Sequence, residues 1–170
     1  MARDAPTETI LSQMKEFFEV DCEGNLLWKK SKGPRGKVGA KVGTSTTHGR
    51  FRTIFLGKSY YNHRIIWYLH YGEWPNCDID HKDNDPKNNK IENLRLCSRS
   101  QNCANKTSKR LYKGVYQKRD KWYSSILKEG KSYHLGTFNT PEKAALAYND
   151  KATELFKDFA KLNRVEVSYG

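Results

Sequence analysis

Between residues 78 and 85 four aspartates, Asp78, Asp80, Asp83 and Asp85, crowd around one histidine, His81. The chain around them is basic: 31 Lys and Arg against 19 Asp and Glu give a formal charge of +12 over 170 residues. Like charges gathered this closely cost repulsion unless a cation sits among them, so a bound cation is expected here. An Asp-His pair sets a hard oxygen ligand beside a nitrogen base, a combination suited to metal-assisted hydrolysis. Asn84, Pro86, Asn88 and Asn89 are turn formers and predict a loop. Leu94-Arg95-Leu96 then alternates as a strand does. Ser98-Arg99-Ser100-Gln101 has capping-box spacing, so a helix begins near Arg99. Asn102 falls in its first turn, where a side chain can turn back toward the strand carrying Asp80.

That order of strand, Asn-rich loop, strand and helix resembles the HNH nucleases, whose active site is a ββα unit closed around one divalent metal. Ile-Asp-His at 79–81, Glu-Asn-Leu-Arg at 92–95 and Ser-Gln-Asn at 100–102 carry the resemblance. It implies that His81 is the general base and Asp80 a metal ligand, that Asn93 fastens the loop orienting His81, and that Asn102 is the second ligand. The third residue of the family name is often histidine, and here it is Asn102. This departure matches the Asp-plus-Asn subset among phage homing endonucleases and favours Mg²⁺ or Mn²⁺ over Zn²⁺ on ligand hardness. Alone, Asp-His-Lys-Asp-Asn-Asp would be a solvated acidic loop; the two motifs that follow it decide against that.

Length allows one ordinary domain or two small ones, and the charge calls for a polyanionic partner. No run of about 18 apolar residues exists, so nothing in the chain is expected to span a membrane. The amino terminus lacks a signal-peptide apolar core, which places the protein in the host cytoplasm. Cys22, Cys77, Cys97 and Cys103 form no C-x-x-C pair and are expected as thiols in small buried positions. A structural zinc on Cys77, Cys97 and Cys103 is disfavoured by their irregular spacing.

Residues 8–19 place Ile10, Leu11, Met14, Phe17 and Phe18 on one helical face and predict an amphipathic helix. From Gly24 to Gly72 there is no Asp or Glu against ten Lys and Arg. Phosphates relieve the self-repulsion of such a segment, with counterion release and a steep salt dependence. Its glycine-rich stretch at 29–43 reads as a flexible loop whose Lys29, Lys30, Lys32, Arg35 and Lys37 contact the DNA backbone. Residues 50–62 predict a hairpin turning at Gly57-Lys58, and 63–72 a helix ended by Gly72 with Ile65, Ile66 and Leu69 inward. His63 and His70 lie outside the metal-binding spacing and read as structural or backbone-contacting.

Residues 106–110, Lys-Thr-Ser-Lys-Arg, form a polar basic link that divides the chain near Ser108. Beyond it 111–117, 122–128 and 132–138 read as three strands, and a helix follows with Thr140 as cap and Pro141 in first place. The helix stripe is Ala144, Ala145, Tyr148, Ala152, Leu155, Phe156 and Phe159. Tyr-Lys-Gly-Val-Tyr, Leu-Gly-Thr-Phe, Thr-Pro-Glu-Lys-Ala-Ala and Ala-Lys-Leu-Asn resemble the APETALA-type domain of plant ethylene-response factors over 112–163. That resemblance implies a sheet lying in the DNA major groove, with Lys113, Tyr116, Lys118, Tyr123, Ser125, Leu127, Ser132 and His134 facing it. Tyr116, Leu127 and Ser132 stand where several plant domains use arginine, so guanine contacts are fewer and the plant target is not expected. Arg119 and Lys128 add cationic contacts, while Trp122, Ser124 and Ile126 alternate toward the helix.

The reading is therefore an α+β protein: an amino-terminal helical segment (1–20), an HNH domain of ββα-metal type (21–106), a basic linker (107–111), a three-stranded antiparallel sheet packed on one helix (112–163) and a tail (164–170). The expected activity is metal-dependent hydrolysis of double-stranded DNA, as in a free-standing homing endonuclease, with neither a small-molecule substrate nor a membrane partner, and with a monomer favoured. The amino-terminal part alone should cleave weakly and residues 107–170 should bind DNA. A DNA-binding regulator with a vestigial site and an RNA-binding protein are the alternatives.

Overall fold

The computed structural model describes residues 5–31, 33 and 36–166, so Lys32 and Arg35 lie outside the described residues. The protein is α+β, as expected, and forms two compact units that divide between Leu96 and Cys97.

The first unit begins with helix α1 (Glu8–Phe17), which buries Met14 and packs Ile10, Leu11 and Phe17 against the core. The helix stops earlier than its apolar periodicity predicts, because Phe18 turns to extended backbone (φ −122°, ψ 150°) and opens strand β1 (Phe18–Val20). Phe18 reaches the core as a strand residue instead, against the rings of Trp28 and Phe55. Strand β1 pairs antiparallel with β2 (Leu26–Trp28). The far end of the glycine-rich segment is not a loose loop: Ala40, Val42 and Gly39 exchange backbone hydrogen bonds with β2, and Val42 is buried. The cause is Val42 itself, an apolar side chain with a place in the core.

Strands β3 (Thr44–Ser45), β4 (Phe51–Phe55) and β5 (Lys58–Tyr61) make an antiparallel sheet. The hairpin turns at Leu56-Gly57, one residue before the expected position, with both residues at positive φ (50° and 76°). Helix α2 (Asn62–Tyr71) follows directly and ends on left-handed Gly72, burying Ile65 and Ile66. Then β6 (Asp78–His81), a loop, a 3₁₀ turn (Ile91–Asn93) and β7 (Leu94–Cys97), which pairs with β6, carry the segment that organises the chain.

The second unit opens with helix α3 (Arg99–Asn105), whose capping box is complete: Ser98 Oγ accepts from the Gln101 N–H and the Gln101 side chain accepts from the Ser98 N–H. The order β10-β9-β8 of strands β8 (Val115–Lys118), β9 (Lys121–Lys128) and β10 (Lys131–Phe138) gives the antiparallel sheet. Helix α4 (Pro141–Phe156) starts on Thr140, whose Oγ1 accepts from the Lys143 N–H. Ala144, Ala145, Tyr148, Ala152 and Phe156 bury the helix stripe against the face carrying Val115, Ser124 and Ile126. Trp122 packs beside Val115, Ala144 and Ala145, inside rather than on the open face.

Among the described residues no helix is long and apolar enough to cross a membrane. No disulfide joins the four cysteines, and Cys22 and Cys103 are exposed where burial was expected.

Candidate active site

β6 ends on the pair Asp80-His81, both buried, at 5% and 6% exposure. A charged carboxylate this deep needs a partner. Arg95, from the neighbouring strand β7, supplies one: its Nε and Nη2 each lie 2.9 Å from Asp80 Oδ2. The Arg95 of the Glu-Asn-Leu-Arg stretch thus fixes the orientation of Asp80.

His81 is held by a residue the sequence reading passed over. Asn89, itself buried, places its Oδ1 3.0 Å from His81 Nε2. With Nε2–H donating there, the imidazole carries its basic lone pair on Nδ1. Burial pushes the His81 pKa below the ordinary imidazole value; the Asn89 bond and the charges of Asp83 and Asp80 oppose the shift, and Arg50 adds to it. The ring is neutral near pH 7 and able to accept a proton. His63 meets it edge-on, with ring centroids 5.3 Å apart at 77°, and His63 in turn stacks on Tyr61. His63 is buried.

Nothing in the sequence singles out Asn89 from Asn88, since both sit in one polar run with no periodicity. The glycine opposite is the only local signal: a side chain at Gly24 would meet the backbone of Asn89 and Lys90 at 2.4–2.6 Å. That close approach, at φ +77°, seats the Asn89 backbone against the β1–β2 turn.

The acidic island is satisfied largely by the protein's own donors. Asp83 accepts from the Asp85 N–H (2.8 Å), Asn88 Nδ2 (2.7 Å) and Asn93 Nδ2 (3.0 Å). Burial raises its pKa, but these hydrogen bonds win and hold it below the usual carboxylate range. Asp85 accepts from the Lys87 N–H at 2.9 Å. The repulsion expected among Asp80, Asp83 and Asp85 is therefore met by loop amides and by Arg95, without assigning a cation to each. Asn93 ties three points of this loop: its Oδ1 accepts from the Asp83 N–H, its Nδ2 also reaches Asn88 O, and its carbonyl accepts from the Lys82 N–H.

Asn102 lies on α3, half-buried, its N–H donating to Ser98 O. Among the described residues no group of three or more His, Cys, Asp or Glu side chains is placed to hold a metal. The donors at issue here, a buried carboxylate and a side-chain amide oxygen, are hard ligands that suit a divalent cation keeping part of its water shell.

Of the basic loop, Lys29, Lys30 and Lys37 are exposed. Lys30 is engaged with Glu16 at 2.5 Å and lies over the Phe17 ring. In the second unit the open sheet face carries Tyr116, Tyr123 and His134 in one line across the three strands. Tyr116 and Tyr123 stack at 5.7 Å, and Tyr123 and His134 lie 6.1 Å apart. Ser125 pairs with His134, and both are accessible. Lys118 and Arg119 are exposed around the β8–β9 turn, and Lys128 is half-buried.

Lys113 stands apart from this set. Its ammonium turns inward and donates to the carbonyls of Cys103 (3.3 Å), Ala104 and Lys106 (2.8 Å), closing the end of α3. Burial pushes its pKa down to about 8. It sits where the groove-facing alignment did not put it, as a helix cap.

The family model described as HNH endonuclease matches residues 60–104, from the end of β5 through most of α3. The match stops short of β8. A curated relative, an uncharacterized HNH endonuclease of Acanthamoeba polyphaga mimivirus, is 35% identical over 125 residues, covering 66% of this chain and 67% of its own. A solved structure titled for DNA binding and cleavage by the HNH homing endonuclease I-HmuI aligns at 23% identity and a TM-score of 0.39. That alignment covers 54% of this chain and 54% of that one. With the relative matched over two thirds of its length and the Asp80-His81 pair set inside the matched segment, this chain belongs to the HNH endonuclease family.

Proposed function

We propose that the protein hydrolyses phosphodiester bonds of duplex DNA with His81 as general base and one divalent cation, Mg²⁺ or Mn²⁺, held by Asp80 and Asn102. The observation that carries this reading is the buried His81, fixed through Nε2 by Asn89 and adjacent to an Arg95-oriented Asp80. His81 Nδ1 takes a proton from water, the oxygen attacks phosphorus in line, and the bond to the leaving oxygen breaks. When bound, the cation supplies charge stabilisation at the phosphate and the leaving oxygen. Asn93, by fastening the 83–88 loop, keeps His81 in place. A role in homing fits a chain that joins such a site to a separate binding module.

The same proposal gives residues 112–163 an APETALA-like role in binding duplex DNA, through Tyr116, Tyr123, Ser125 and His134 on the open face and Lys118, Arg119 and Lys128 around it. The exposed Lys29 and Lys37 contact phosphates from the first unit. Linking the two raises affinity through effective concentration. Lys118→Ala should weaken binding about equally on all sequences and lower the salt slope by ~1. Tyr123→Ala should instead change which duplexes are preferred, read by selection from a random-sequence pool.

The line of exposed rings also fits single-stranded RNA, on which such sheets stack bases. Competition between duplex DNA and RNA, with and without Mg²⁺, decides between them; RNA preference with no cleavage of duplex DNA would overturn the proposal. The pH profile offers a further check. The folded His81 pKa is lowered, so the base becomes competent below the ordinary value of 6.5. The acidic limb of the cleavage rate should therefore fall below pH 6.5, where a solvent-exposed histidine would give a limb at or above it.

A further inference from the structure

Arg50 lies on a turn closed by the Thr46 N–H donating to Arg50 O at 2.7 Å, immediately before β4. Its Nε is buried with no hydrogen-bond partner. Its guanidinium carbon sits 6.0 Å from the Tyr61 ring. No carboxylate is near in sequence either, since the chain carries no Asp or Glu between Gly24 and Gly72. An arginine left this way is costly to the fold, because a buried donor goes unpaired.

Two contacts place this arginine at the site described above. Tyr61, which it overlies, stacks on His63, and the edge of His63 meets His81. The adjacent Gly49 packs against the loop that follows His81: a side chain there would come within 3.1 Å of Pro86 Cγ. What would complete the arrangement is an anion brought by the substrate. A planar guanidinium matches two phosphate oxygens at once.

We propose that Arg50 is a further catalytic residue, whose guanidinium binds the phosphodiester undergoing cleavage and stabilises the charge that gathers on its non-bridging oxygens. This rests on the hydrolytic reading of the Asp80-His81 site. It also extends that site beyond the matched HNH segment, which begins ten residues later, at residue 60. Preorganised charge of this kind acts on the transition state more than on ground-state binding.

The test uses the full chain with Arg50→Met, Arg50→Gln and Arg50→Lys, and His81→Ala beside them. Cleavage of supercoiled plasmid is followed at saturating enzyme with Mg²⁺, and binding of a labelled duplex is followed without divalent metal over a salt series. Arg50→Met should slow cleavage on the order of 10²-fold, with Arg50→Lys recovering part of the loss and the salt slope of binding falling by ~1. If Arg50→Met melts at a lower temperature than wild type, Arg50→Gln decides by the same criterion. Wild-type cleavage at saturation with only weaker binding would make Arg50 a remote backbone contact and overturn the inference. Equal rates for the lysine and the neutral variants would overturn it too. Normal cleavage by His81→Ala would instead bring down the active-site reading beneath it, and the two failures are distinguishable.

Discussion

His81→Ala should reduce metal-dependent DNA cleavage by roughly 10²–10⁴-fold, the range supplied by a positioned general base, while duplex affinity without metal stays within about three-fold. Binding should survive because the imidazole is buried and contributes no positive charge at neutral pH, so no phosphate contact is lost. Folding should survive because the cavity left is lined by polar partners, Asn89 and the His63 edge, that water can satisfy. Asn89→Ala should lie between wild type and His81→Ala, since it keeps the base but releases the bond that sets its tautomer. The measurement is single-turnover plasmid cleavage with a parallel duplex titration. Wild-type rates in His81→Ala would remove His81 from the chemistry, and a parallel collapse of binding would make its role structural.

Several elements of the fold were readable because each is fixed by local rules. Ser98 and Gln101 announce the start of α3, Gly72 the end of α2, and Thr140-Pro141 the start of α4, all through backbone groups that need a nearby partner. What escaped depends on contacts between distant residues. Asn89 meets His81 only because Gly24 lets another turn close on its backbone. Arg95 reads as one polar position of a short strand until β6 and β7 pair and bring it to Asp80. Arg50 reads as one cation among ten until its Nε is found buried. Phe18 continues the apolar stripe of α1, yet the chain turns extended there because β1 has β2 to pair with. In each case tertiary pairing overrides the local pattern.

The position of α3 changes what truncation should do. A break near Ser108 treats residues 1–106 as a complete nuclease, yet α3 packs within the second unit. Ala104 is buried among Ile126, Tyr148, Ala152 and Phe156. Lys113 caps the helix carbonyls, the Lys161 N–H donates to Ala104 O at 3.2 Å, and the Glu129 N–H donates to Ser100 Oγ at 3.2 Å. A seven-residue helix has no stability of its own in water. A chain ending at 106 should therefore fray at α3, the helix carrying Asn102, and lose cleavage by ~10²-fold or more rather than keep weak activity, because the second ligand of the proposed metal site would no longer be held. The complementary fragment should show the same dependence: 97–170 should unfold at a clearly higher urea concentration than 107–170, which lacks the helix its core closes on. In the full chain Lys113→Met strips three carbonyls of their shared donor, and at about 1 kcal/mol per lost hydrogen bond it should cost ~2–3 kcal/mol in urea unfolding. Equal midpoints for the two fragments, together with a stable and active 1–106, would return α3 to the first unit and move the domain boundary back to the basic link.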